Sequence, residues 1–329
     1  MRVEISKHEP LSELLNLEID CITLDNDNMS VQILNYGCTM MAINVPDREG
    51  NVGNVLLNYD DLISVIANPL YLNTIIGPSA GRLENAVLNL DGATYELEVN
   101  NATANLHGGN TGFHKQLWEI RERRVEMNYC GVSLFHVHKH MTGGFPGNME
   151  IHVWFKLYED NRVTIDFKAT TDRLCHLNMT HHNYFNLSGD CGIKLDDHEL
   201  FINAESYRPL QKNGIPLTAS KSVIGTPFDF RVPKKLSKLF AEPPNGLDHP
   251  FDLREKSDLE KPSVILEDPL SGRKMTVGSN QPCVVVYTNN AGYKQHEGVC
   301  LEMQHYPNEV HLLHPDEVYD HFTEYIFTL

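Results

Sequence analysis

Four turn-rich parts of the chain concentrate side chains that can move protons or hold hydroxyl groups. Gly81-Arg82 is followed by Asn85, and Asn105-Leu106-His107-Gly108-Gly109 comes next. The stretch from Asn178 to Leu187 carries two adjacent histidines, His181 and His182. Gly246-Leu247-Asp248-His249 and, further on, Leu301-Glu302-Met303-Gln304 complete the set. Arg, Asn and Asp beside glycines offer many hydrogen bonds, which is the recognition chemistry of a small, neutral, polyhydroxylated ligand. Asp248 and Glu302 are available as a carboxylate pair. His107 and His182 are available as acids or bases, because imidazole titrates near neutrality. Each segment alone reads more simply as a turn or a solvated strand face. Their combination is what points to a site.

Other chemistries find less support. His136, His138 and His140 recur at period two, which places all three on one face of a strand. No thiolate or carboxylate stands near them at standard ligand spacing, so a polar strand face is the better reading than a metal centre. His181 and His182 alternate faces if extended, so at most one enters a pocket. The chain has no G-x-S-x-G, no G-x-x-x-x-G-K-[ST] and no G-x-G-x-x-G. A nucleophilic serine, a cradled nucleotide and a dinucleotide cofactor are therefore unsupported.

The elements that must position these groups are mostly strands. Ile151, Val153, Phe155 and Leu157 alternate with His152, Trp154, Lys156 and Tyr158. Val163, Ile165, Phe167 and Ala169 repeat the pattern after Glu159-Asp160-Asn161, which predicts a hairpin with one buried face. Val31 to Val45, Val284 to Thr288 and Tyr325 to Leu329 also read as strands. Only short helices are expected. Asp60 would cap one ending at Ile66, with Leu62, Ile63 and Ile66 on one face, and Lys234 to Phe240 would form another. Gly and Pro clusters such as Gly143 to Gly147, Pro243 to Gly246 and Pro269 to Gly272 separate strands rather than marking a linker. Strands without regular intervening helices predict an all-β protein, a large antiparallel sandwich or barrel. With no shift in composition between the halves, residues 1–329 read as a single domain.

Composition narrows the partners. The 329 residues include 44 acidic and 27 basic side chains, a formal net charge of -17. Such a chain is a poor candidate for nucleic-acid binding, which relies on Lys and Arg to displace counterions, or for docking on an anionic membrane. Seven scattered cysteines with no C-x-x-C pair suggest neither a disulfide framework nor a zinc ribbon. Met1 to Pro10 mixes both charge signs and lacks an apolar run, so a cytoplasmic location is expected.

In order and content these segments resemble the aldose 1-epimerase, or galactose mutarotase, family. The resemblance takes in Gly81-Arg82 before Asn85, and Asn105 to Gly109 leading to Gly112-Phe113 and Trp118. It continues through Gly144-Phe145-Pro146-Gly147-Asn148, His182-Asn183-Tyr184-Phe185-Asn186-Leu187 and Thr226 to Arg231. Gly246-Leu247-Asp248-His249-Pro250-Phe251, Gln281-Pro282 to Thr288 and Leu301 to Gln304 close it, over residues 30 to 327. It implies an antiparallel β-sandwich with a sugar held in a cleft on the sheet, and no cofactor or metal. By carry-over Glu302 is the general base and His182 the general acid. Arg82, His107 and Asp248 bind and orient sugar hydroxyls. The chain departs from the family at His181, where Asn is usual, at Ala86, where Arg is common, and at Asn308, where many members have Asp.

The implied reaction interconverts α and β anomers of a free aldohexose such as galactose or glucose. A base takes the C1 hydroxyl proton while an acid protonates the ring oxygen, and Glu302 ionised opposite a protonated His182 is the expected resting state. The rivals are a hexose-6-phosphate mutarotase, which needs further cations, and a glycosidase using Asp248 and Glu302. A third is a sugar-binding protein of the same fold without activity. Composition and motifs leave the oligomeric state open.

Overall fold

Period-two patterning builds the largest sheet. In the computed structural model, which describes residues 1–190, 192–241, 245–254, 262–290 and 292–329, the expected hairpin pairs Met149–Tyr158 with Arg162–Thr171. Ile151, Val153, Phe155, Leu157, Val163, Ile165 and Phe167 are fully buried, whereas His152 and Lys168 stay exposed. The hairpin sits in a nine-stranded sheet that runs from Glu119–Val125 to Lys234–Lys235. A six-stranded sheet carries Val299–Gln304, and a five-stranded sheet forms from Arg2–Lys7 to Val52–Asn54. The ladders joining the strands in each sheet are antiparallel. The expected all-β sandwich is therefore what the chain forms.

One apolar core joins the sheets. Ile22 and Val31 come from the five-stranded sheet, Phe155 and Phe327 from the nine-stranded one, and Val284 and Met303 from the six-stranded one. Phe155 and its neighbours are fully buried, so each removes most of its apolar surface from water, about 1.5–3 kcal/mol per large side chain. Val31 to Val45 resolves into Ser30–Leu34 and Met40–Pro46. They are joined by a turn in which Gly37 and Cys38 both take positive φ.

The two helix expectations need correction. The first expected helix forms as Leu62–Ala67, after an earlier helix Glu9–Leu15, and its N-cap is Asp61, whose Oδ1 accepts from the Ser64 N–H at 2.8 Å. Asp60 instead accepts from Lys294 Nζ at 2.7 Å. The helix buries no residue fully: Leu62 and Ile66 lean on the Leu11, Ile19 and Leu34 cluster, but Ile63 is 71% exposed. The second segment splits. Lys234–Lys235 extends the sheet edge by pairing with Glu199–Leu200, and only Ser237–Phe240 is helical. An available strand edge outcompetes a helix too short to nucleate alone. Among the described residues no helix is long and apolar enough to cross a membrane. Cys191 and the Pro243-Pro244 part of the expected turn lie outside the described residues.

Many histidines are built into this interior in neutral form. Burial holds His176 and His321 down to about 3 and His181 and His198 down to about 4. Unfolding returns them to the ordinary value near 6.5, so above that value the folded and unfolded chains bind these protons alike. Below it the unfolded chain binds more, and stability is lost as pH falls from about 6.5 towards 3. Glu302 and Glu324, pushed up by burial, act oppositely but are fewer. The expected outcome is a melting temperature lower by at least roughly 5 °C at pH 5 than at pH 7, followed by calorimetry. An unchanged value would show that the histidines do not govern acid stability.

Candidate active site

The floor of the site is one face of the strand Val299–Gln304. Period two sends Leu301 and Met303 into the apolar core and leaves Cys300, Glu302 and Gln304 on the opposite face. The register sets Glu302 opposite Val285 and Cys300 opposite Tyr287, and Tyr287 in turn opposite Asp248. Asp248 thus reaches the same face from two strands away.

The walls come from irregular chain held by its own polar groups. Thr180–His181 pairs with Ile75–Ile76, and the backbone of His182 bonds to Thr74 O and Asn73 N, each at 2.9 Å. The alternation expected of the two histidines holds. His182 turns to the cleft, and His181 turns inward, its ring nitrogens 3.0 Å from Cys38 O and Asn183 Oδ1 and its ring edge-on to Phe155. His181 is therefore a core side chain. His107 sits in left-handed backbone at φ 54, followed by Gly108, where a Cβ would lie 2.2 Å from Gly77 O. No other residue fits at Gly108 without moving the backbone. Asn100 grips the adjoining Leu106 through both N–H and C=O, at 2.7 and 2.9 Å, and donates to Tyr71 Oη at 3.1 Å. The Tyr71 ring stands edge-on to His107 at 4.7 Å. Asn308 caps Glu84 N at 2.9 Å, and Ala86 is buried at φ 51.

All five residues singled out from sequence line one cleft: Arg82, His107, His182, Asp248 and Glu302. His182 Nε2 lies 3.5 Å from Glu302 Oε1, and the His107 and His182 rings meet at right angles 5.1 Å apart. Arg82 Nη1 reaches Asp248 Oδ2 at 3.4 Å while its Nε donates to Asn101 Oδ1 at 3.2 Å. On the far side of His182, Nδ1 lies 3.4 Å from Cys300 Sγ, and Tyr184 stacks on the ring. His136 and His138 lie elsewhere, against Trp118 and Phe113.

Burial works against the expected charge state. Glu302 and His182 are each almost wholly withdrawn from water, with side chains 4% and 5% exposed. Desolvation raises Glu302 well above the usual carboxylate range, helped by the charge of Asp248 and opposed by Arg82. It lowers His182 to about 3. Desolvation thus pulls towards a carboxylic acid facing a neutral imidazole, the same single proton placed on the other partner. Desolvation likewise raises Asp248, against the pull of Arg82, although a third of its side chain stays open to the cleft.

His107, His182 and Glu302 present ligand atoms within 4.8 Å of one another, and two His with one Glu is a donor set known for catalytic zinc. The geometry does not fit an ion. The Gly81 N–H donates to His107 Nδ1 at 3.1 Å, so that nitrogen holds the lone pair and the ring's proton sits on Nε2. A protonated Nε2 donates a hydrogen bond and cannot ligate.

Tyr71, Asn100 and Cys300 carry no motif and were not legible in the sequence. Gln304 was, standing two residues from Glu302 on the same strand face. Its amide is fully buried beside the cleft and has no hydrogen-bond partner among the described residues.

Fold and site together define an antiparallel β-sandwich protein with an acid–base pair on the floor of a small polar cleft. The family model described as aldose 1-epimerase matches residues 20–325, and the chain belongs to that family. It is 34% identical to a galactose mutarotase of Bos taurus and 31% identical to an aldose 1-epimerase of Escherichia coli K12. These span 94% and 92% of this chain, and 94% and 93% of the relatives. A solved galactose 1-epimerase from Lactobacillus acidophilus superposes with a TM-score of 0.88 at 26% identity, covering 100% of this chain and 99% of that one.

The tautomer of His107 is directly measurable. Nitrogen-15 correlation spectra of histidine-labelled protein are expected to show Nε2 protonated and Nδ1 bare at neutral pH, with imidazolium appearing only well below pH 6.5, because burial lowers this ring. A ring protonated on Nδ1 alone would reopen the metal reading.

Proposed function

We propose that this isomerase interconverts the α and β anomers of free aldohexoses by opening and reclosing the pyranose ring, as an aldose 1-epimerase. The observation that carries the reading is the buried Glu302–His182 contact at 3.5 Å, set in a cavity of about 230 Å³. That volume lies below the roughly 300–1,000 Å³ of pockets for larger ligands and suits a single sugar ring. The chain is taken as one domain, which the core running from Ile22 to Phe327 supports.

The proton ledger is short. Glu302 removes the proton of the C1 hydroxyl, His182 delivers one to the ring oxygen, and the C1–O5 bond breaks to leave an open-chain aldehyde. Rotation about C1–C2 presents the other face, and the same two transfers in reverse close the ring. Before substrate seats, burial holds the proton on Glu302. Sugar hydroxyls donating to the carboxylate stabilise its ionised form, so the proton crosses from Oε1 to Nε2 as the substrate seats. His107 donates its Nε2–H to a sugar oxygen. Asp248 accepts from sugar hydroxyls and Arg82 donates to them, each held by the other.

A 6-phosphate would need a further cation. Among the described residues lining the cleft the only Lys or Arg is Arg82, already engaged with Asp248 and Asn101. Polarimetry is expected to show fast mutarotation of galactose and glucose and little of their 6-phosphates. The reverse order would replace this reading with the phosphate-specific one.

Glu302→Gln and His182→Asn are each expected to lower kcat by ~10²–10⁴ with galactose binding largely kept, since each removes one positioned proton transfer. Near-normal turnover in either variant would exclude the pair as acid and base. The pH profile follows from the same burial. A second proton is taken up only as pH falls towards the His182 value of about 3, and the last is lost only above the raised value of Glu302. The expected kcat/KM is level between about pH 5 and pH 7. A limb centred near 6.5 would mean an ordinary solvated imidazole.

A further inference from the structure

The thiol of Cys300 lies behind the His182 ring, away from the cleft lining, and has no part in the mechanism above. It is fully buried, it follows Tyr287 across the ladder, and Sγ lies 3.4 Å from Nδ1 of His182. On the other edge of that ring, Nε2 faces Glu302 Oε1 at 3.5 Å. The imidazole is therefore held between a carboxyl group and a thiol, with Tyr184 stacked on its face at 5.1 Å. The backbone carbonyl of His182 already accepts from Asn73 N–H at 2.9 Å.

We propose that Cys300 is a positioning residue that keeps the proton of neutral His182 on Nδ1, accepting it at Sγ, so that Nε2 stays bare and turned to Glu302. The inference rests on the acid–base reading of that pair. Its reason is the proton count. Glu302 can pass its proton to His182 only at a nitrogen with a free lone pair, and that must be the nitrogen facing it. The other nitrogen must then carry the ring's own hydrogen. A thiol is suited to the position because sulfur is a weak acceptor. A carboxylate on Nδ1, the commoner partner of a catalytic histidine, would favour the imidazolium and tie the proton to the ring. Sulfur orients the ring while leaving the proton free to return to Glu302. Burial keeps the thiol itself protonated, far above its ordinary range.

The test compares Cys300→Ala and Cys300→Ser with the wild-type enzyme. Alanine leaves the ring with only the His182 backbone carbonyl, which already accepts from Asn73 N–H, and lets it exchange tautomers. The expected result is a kcat for galactose lowered roughly tenfold with KM within about twofold, and nitrogen-15 spectra in which His182 changes from Nδ1–H to a mixture of tautomers. Serine, which supplies an acceptor oxygen, is expected to recover most of the rate and the Nδ1–H signal. Two results would overturn the proposal. One is wild-type His182 protonated on Nε2 alone. The other is an alanine variant with unchanged kcat and an unchanged spectrum. Loss of melting temperature in both variants with kcat unaffected would reduce Cys300 to a packing residue. Loss of rate in Glu302→Gln with no effect in Cys300→Ala would leave the acid–base reading standing and remove only this inference.

Discussion

The contact between Glu302 and His182 is the constraint on which the rest of this structure turns. Two ionisable groups lie 3.5 Å apart with almost no access to water. In such a place neither charge is cheap, and the pair holds a single proton that either partner can carry. Ring opening and closing requires a proton that can cross within this pair, since the reaction moves one proton off an oxygen and one onto its neighbour and then undoes both. The strands, the core and the loops serve to keep that pair dry, close and fixed in orientation.

Each surrounding feature contributes to that end. The sheet face under Glu302 gives it a rigid backbone with Val285 on one neighbouring strand. Asp248 and Arg82 place opposite charges beside it, so that the cleft has hydrogen-bonding power without a net local charge large enough to pin the proton. His107 is locked as a donor by a backbone N–H, and the glycine that follows lets the chain pass close to Gly77. The overall charge of -17 has no direct role in this chemistry. A neutral sugar is not steered by a field, and the acidic surface acts on solubility instead.

Much of the fold could be read from the chain, for a definite reason. The hairpin Met149–Tyr158 and Arg162–Thr171 buries one face and solvates the other, so its period appears directly in residue type. The short helices were harder. Asp60 and Asp61 are equally good caps on paper, and only the position of Lys294 assigns Asp60 to another role. Lys234 and Lys235 became strand because the edge at Glu199–Leu200 was there to receive them. In each case the deciding partner lies far away in sequence.

The site divides in the same way. Arg82, His107, His182, Asp248 and Glu302 were legible because their chemistry resides in the side chain and their neighbours form motifs. So was the rule that only one of His181 and His182 faces the cleft, since alternation is a property of an extended backbone. What the sequence could not contain was the environment. The expectation of an ionised Glu302 and a protonated His182 came from ordinary solution behaviour, and burial works against it. Tyr71, Asn100 and Cys300 escaped notice because they act through contacts made by other segments. Residue types and spacing thus determined which groups meet and what reaction class they serve. The tertiary structure alone decided where the protons sit, because proton affinity depends on the solvent and charge that folding removes or brings near.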